Sequence, residues 1–171
     1  GAAFCSEVRG LDLECLSAGG GLPALLRFNR PAILKIDVTG LPAYALASKL
    51  SSDRVTLDVL GRQHSVRSES LEQVWDGEFV LVWRRPAEVT GNILAGSSGP
   101  AVDWLRSALD RIEGTASFGN VYDEELVARV RQLQTDAGLV PDGIVRPRTM
   151  IVIQNRLAKP AAADTAQAPT G

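Results

Sequence analysis

The hydrophobic period changes once along this 171-residue chain. Between Ala32 and Arg85 the apolar residues fall in short, turn-bounded runs of strand character, whereas after Pro100 they recur at helical spacing. The stretch from Pro86 to Pro100 follows neither period and holds Gly91, Gly96, Ser97, Ser98 and Gly99, which is the composition of a linker. Two small domains of different architecture are therefore expected, and the length accommodates them, since domains run from about 50 to 200 residues. The expected fold class is α+β, with boundaries at 1–88 and 100–158, a linker over 89–99 and a tail over 159–171. That tail is mostly Ala, Pro and Thr and is expected to be disordered.

In the first half, Ala32–Asp37 and Tyr44–Leu50 are apolar runs bounded by Pro31, Gly40 and Pro42. Arg54–Leu60 alternates and stops at Gly61, as the third strand of an antiparallel meander would. Ser68 reads as the N-cap of a short helix through Trp75, after which Asp76-Gly77 turns the chain into a strand over Glu78–Trp83. Upstream, Gly19-Gly20-Gly21 separates a cysteine region from a short helix over Leu22–Phe28 that ends at Asn29.

In the second half, Ala101, Leu105, Ala108, Leu109 and Ile112 form a helical stripe. Asp123 reads as an N-cap with Glu124 and Glu125 in the first turn, where negative charge complements the helix dipole. Leu126, Val130, Leu133 and Ala137 then share one face, Gly138 is placed to stop the helix, and Pro147 to begin a third.

A net charge of −2 with scattered basic residues gives no footprint for nucleic acid. No apolar run approaches the roughly 18 residues needed to cross a bilayer. The chain starts at Gly1 in folded-looking sequence, so it reads as a fragment whose anchor or targeting segment lies upstream. Two cysteines, Cys5 and Cys15, close a loop around Gly10. Bonded, they would stabilise by about 2 to 3 kcal/mol and imply an oxidising compartment; the alternative is two buried reduced thiols. With the lone His64 they are too few for a four-coordinate zinc site, and no cofactor is expected.

The most specific stretch is Val121–Gln134 followed by Gly138-Leu-Val-Pro-Asp-Gly-Ile-Val-Arg-Pro-Arg-Thr149. It resembles the three-helix peptidoglycan-binding domain, whose pattern is an aromatic-Asp pair, an aromatic-Gln pair, and Gly-Leu-x-x-Asp-Gly-x-Val-Gly-x-x-Thr. Tyr122-Asp123, Leu133-Gln134, Gly138-Leu139, Asp142-Gly143, Val145 and Thr149 match in order and spacing. Leu133 replaces an aromatic, and Arg146 stands where the family has glycine. If that glycine needs a positive φ or lets a ligand approach the backbone, Arg146 alters the loop; it also offers a cation to the carboxylates of the wall's peptide stems.

The resemblance implies peptidoglycan as partner, with Tyr122, Gln134, Asp142, Gly143, Arg146, Arg148 and Thr149 as candidate binding residues. The same positions have an architectural reading: Asp142-Gly143 as a turn, Thr149 as a helix buttress, Gln134 as a hydrogen-bonding brace, with binding left to the groove beside the loop. Trp75, Trp83 and Trp104 are read as core packing rather than sugar platforms.

The order of elements in the first half resembles the peptidase C39-like fold, whose active members use a Cys, a His at the start of a strand and an Asp followed by Pro. The His is expected near Ala43-Tyr44 and is absent. Asp58 fits the Asp position but precedes Val59, and neither cysteine has the nucleophile's usual surroundings. Cys5 or Cys15 could attack only if His64 reached it to activate the thiol. No catalytic residue is assigned, and the domain reads as degenerate.

Taken together, Cys5 and Gly10-Leu11 leading to Cys15-Leu16, Asn29-Arg-Pro-Ala-Ile-Leu34, Trp75-x-Gly77, Leu81-x-Trp83-Arg-x-Pro86 and the C-terminal motif resemble the periplasmic part of GspA/ExeA-type proteins of the general (type II) secretion pathway. The resemblance implies an ATPase region and an inner-membrane anchor upstream, a GspB/ExeB-type inner-membrane partner, and a role in assembling the outer-membrane secretin through the cell wall. Self-association into a homo-oligomer is compatible with it. The competing reading is a cysteine-dependent wall hydrolase that its second module merely targets.

Overall fold

In the computed structural model, which describes Cys5 and residues 11–158, six strands form a single sheet. They are β1 (Glu14–Ala18), β2 (Ala32–Val38), β3 (Leu41–Leu50), β4 (Arg54–Val59), β5 (Arg62–Arg67) and β6 (Trp75–Trp83). The order is β1-β6-β2-β3-β4-β5, with every neighbouring pair antiparallel. β2 to β4 make the expected meander, and β5, a strand the sequence did not assign, extends it. Its turns at Thr39-Gly40 and Leu60-Gly61 have positive φ at both residues, the conformation whose twist suits two-residue hairpins. β6 then crosses back between β1 and β2, which places Trp75, Phe79, Leu81 and Trp83 at the centre of the buried face.

Helices α1 (Gly21–Phe28) and α2 (Ser68–Glu72) cover that face. Leu22, Leu25 and Phe28 of α1 and Leu71 of α2 are buried, and Phe28 meets Phe79 edge-on with ring centroids 6.1 Å apart. Asn29 ends α1 in the left-handed conformation, a role asparagine tolerates better than most residues.

Two local expectations change. Ser68 is the first residue of α2 rather than its cap, and its buried hydroxyl has no partner among the described residues. The helix stops at Glu72, and Trp75 belongs to β6. Asp76-Gly77 does bend the chain, but inside the strand. The β2–β6 register slips there, with Ile36 opposite Trp75 and Leu34 opposite Phe79, and Gly77 sits at φ 85°. A Cβ on Gly77 would lie 3.1 Å from the Gly21 backbone nitrogen, so the bulge lets the start of α1 approach the sheet.

The second half consists of α3 (Pro100–Glu113), α4 (Glu124–Asp136) and α5 (Pro147–Ala158). Asp123 caps α4 by accepting the Leu126 N–H. Gly138 follows α4 at φ 62° and Pro147 opens α5. The 89–99 segment is irregular, yet it is laced to the helices: Val89 and Ile93 are buried, Ile93 and Val145 exchange two N–H···O bonds of 3.1 Å, and Tyr122 pairs with Ser97 and Gly96. The tail expected over 159–171 lies outside the described residues.

The two halves are joined by direct contacts. Arg30 donates to Asn155 Oδ1 at 2.7 Å and to Gln154 Oε1 at 3.1 Å, Asn155 donates to the Phe28 carbonyl, and Gln154 donates to the Arg84 carbonyl at 2.9 Å. Arg85 holds Glu14 of β1 through both carboxylate oxygens, at 2.6 and 2.9 Å, and lies against the Trp83 ring. Thus the Asn-Arg-Pro and Trp-Arg-x-Pro pieces of the sequence supply much of the seam between sheet and helices.

Candidate functional site

The loop between α4 and α5 is organised from within by one amide. Gln134, 2% exposed, accepts the Gly143 N–H at 2.9 Å and directs its own NH2 to Asp142 Oδ1 (3.2 Å), the Ile144 carbonyl (3.0 Å) and Thr149 Oγ1 (3.3 Å). From the other side the Tyr122 hydroxyl donates to the Gly143 carbonyl at 2.6 Å. Burial pushes that phenol's pKa well up, so it remains a donor. Gly143 itself is at φ 74°, and a Cβ there would fall 2.9 Å from Val127 Cγ1.

Asp142 closes the turn. Its Oδ1 accepts the Ile144 N–H at 2.8 Å and Gln134, while Arg146 binds Oδ2. The Ile144 N–H first and Arg146 second hold its carboxyl below the usual carboxylate range, so it is ionised at neutral pH. Arg146 is not among the residues with positive φ. The backbone at this position therefore accepts a side chain without strain, and the arginine acts as a brace for the turn.

The candidate residues thus divide into two groups. Tyr122, Gln134, Gly143 and Thr149 are buried and shape the loop, whereas Arg146 and Arg148 are exposed and Asp142 is half-buried. The latter three border a groove of about 540 Å³ that also takes in Leu139 and Val140. Sequence reasoning missed two of its walls, Leu16 on β1 and Arg27 on α1. The Arg27 guanidinium lies over Gly138, where a Cβ would stand 3.1 to 3.3 Å from its atoms. Glycine at 138 is thus both a helix stop and the floor on which a side chain of the other half rests.

Among the described residues the first half offers no comparable constellation. Cys5 and Cys15 are joined in a disulfide, which settles the choice between bonded and reduced cysteines. Cys15 is on β1 and His64 on β5, the two outermost strands of the sheet. Five strand spacings of about 4.8 Å put some 24 Å between those strands, far beyond the reach of a thiol-imidazole pair. Trp75 and Trp83 are buried, as expected of core residues.

Against known proteins, residues 98–153 match the family described as "Putative peptidoglycan binding domain". The likeness to this family is confined to that segment, about a third of the chain. The match holds the loop just described, so the fold of the module and the order of its motif agree with the family despite Arg146. The chain is also 28% identical over 160 residues to general secretion pathway protein A of Aeromonas hydrophila, covering 92% of this chain and 29% of that protein. A relative named for the same pathway protein in Escherichia coli (strain K12) is 24% identical over 88% of this chain and 31% of its own length. The chain therefore spans about a third of the curated relatives it matches. Among solved structures, a periplasmic domain of the EpsAB fusion protein of the Vibrio vulnificus type II secretion system aligns over 85% of this chain and 65% of its own, with TM-score 0.58 and 22% identity. That likeness supports the α+β fold of the sheet half as well as the helices. The resemblance to GspA/ExeA-type proteins extends over both halves of the chain.

Proposed function

We propose that this chain is a noncatalytic, periplasmic, peptidoglycan-binding region of a type II secretion protein. The observation that carries the proposal is the open groove beside the Asp142-Gly143 loop, built on a module of the peptidoglycan-binding family, with charged side chains at its border and its polar core fully braced. The disulfide agrees with an oxidising compartment. The sheet half, a C39-like scaffold with its cysteines bonded to each other, acts as a platform that holds the module at a fixed orientation. Within the longer protein, an inner-membrane anchor, a GspB/ExeB-type partner, self-association and help in carrying secretin assembly through the wall complete the reading. Similarity to the general secretion pathway A proteins supports the pathway, and these parts are proposed on that basis.

Incubation with purified sacculi tests the proposal. The chain is expected to pellet with sacculi well above an inert control protein and to release no soluble wall fragments. Absence of pelleting would refute wall binding. Fragment release abolished by Cys5→Ser or Cys15→Ser would show a hydrolase instead.

A further inference from the structure

We infer that the groove recognises the carboxylates of the wall polymer's peptide stems rather than its sugar chain, an inference that rests on the wall-binding reading above. Among the described residues, three guanidinium groups border the groove, those of Arg27, Arg146 and Arg148, against the one carboxylate of Asp142. Arg146 is used in holding Asp142, and both oxygens of Asp142 are already occupied. Arg27 and Arg148, both exposed, make no ion pair among the described residues. The groove therefore presents two unspent cationic forks, which donate hydrogen bonds and accept none, and which fit carboxylates bidentately.

A sugar chain asks for the opposite equipment. Its hydroxyl groups need acceptors as well as donors, and its C–H faces pack best on aromatic plates. Among the described residues no aromatic side chain lines the groove, and the one carboxylate there is spent. Leu139 and Val140 instead supply aliphatic surface suited to the methyl groups of alanyl residues. A short peptide with methyl side chains and free carboxylates satisfies both features. The pairing also gives Arg27 a role: it sits on the sheet half but faces the loop through its place over Gly138, so both halves would grip one stem.

The full chain should be tested on intact sacculi, on sacculi whose stems have been removed with an amidase, and with the soluble stem peptides so released as competitors. Intact sacculi are expected to bind at least about tenfold more tightly than stripped ones, and free stems to compete. Arg27→Gln and Arg148→Gln should each weaken binding to intact sacculi by about tenfold, the scale of one lost charge-assisted hydrogen bond, with thermal unfolding unchanged. Equal pelleting with intact and stripped sacculi, indifferent to both substitutions, would overturn the inference while leaving wall binding standing. No pelleting even with intact sacculi would overturn the wall-binding reading itself.

Discussion

Replacing Gln134 with alanine is expected to destabilise the helical module by about 3 kcal/mol. The side chain is buried and makes four hydrogen bonds to the loop, and in its absence the Gly143 N–H loses its acceptor while enclosed by protein. A buried polar group left without a partner costs about 1 to 3 kcal/mol, and the cavity adds to it. Chemical denaturation would show the effect as a lower midpoint. A loss under about 1 kcal/mol would mean that water replaces the amide and that Gln134 does not organise the loop.

Gly143→Ala should cost a similar amount, about 3 kcal/mol, for a different reason. The residue needs φ 74°, a conformation unfavourable by about 1 to 2 kcal/mol for a residue with a Cβ. The new methyl would also press on Val127 Cγ1 at 2.9 Å and Arg131 Nε at 3.2 Å, and overpacking adds about 1 to 3 kcal/mol. Thermal unfolding of the variant beside Gly138→Ala, whose Cβ would meet the flexible end of Arg27 first, separates strain from clash, and Gly143→Ala is expected to be clearly the worse. Equal, small losses would show that the loop relaxes freely. Because Gln134 and Gly143 share a hydrogen bond, the double variant should lose less than the sum of the two.

These two residues also show why the helical half was the more legible. Its helices carry local signals at both ends: Asp123 as cap, Gly138 after the stop, Pro147 at the start. The turn at Asp142-Gly143 is equally local. In the sheet half β2, β3, β4 and β6 were readable, but β1, β5 and the arrangement were not. β1 is a five-residue edge strand with one buried position, Ala18, too short for a period to emerge, and its partner β6 lies far along the chain. Asp76-Gly77 signalled a turn, and the pressure to bury Trp75 beside Phe79 made it a bulge instead.

For the site, the structure gathers the named residues at one loop, but their division into braces and exposed groups depends on burial, which a motif does not report. Tyr122, at 1% exposed, is the example: it reads as a ligand contact in the sequence and serves as a strut in the fold. Arg27 had no signal at all. It sits near the end of an unremarkable helix, and only docking of the two halves through Arg30 and Asn155 carries it to the groove. Residues 89–99 show the converse. Their glycines and serines are linker-like, but Val89 and Ile93 are apolar positions that the module buries.

On the proposal above, this groove is where the chain meets the cell wall. Backbone amide chemical shifts of the isotope-labelled chain, followed while enzymatically solubilised peptidoglycan is added, test it most directly. Perturbations are expected to concentrate at residues 138 to 148 and at the end of α1 around Arg27. Saturable shifts confined to the far edge of the sheet, at β4 and β5, would contradict it.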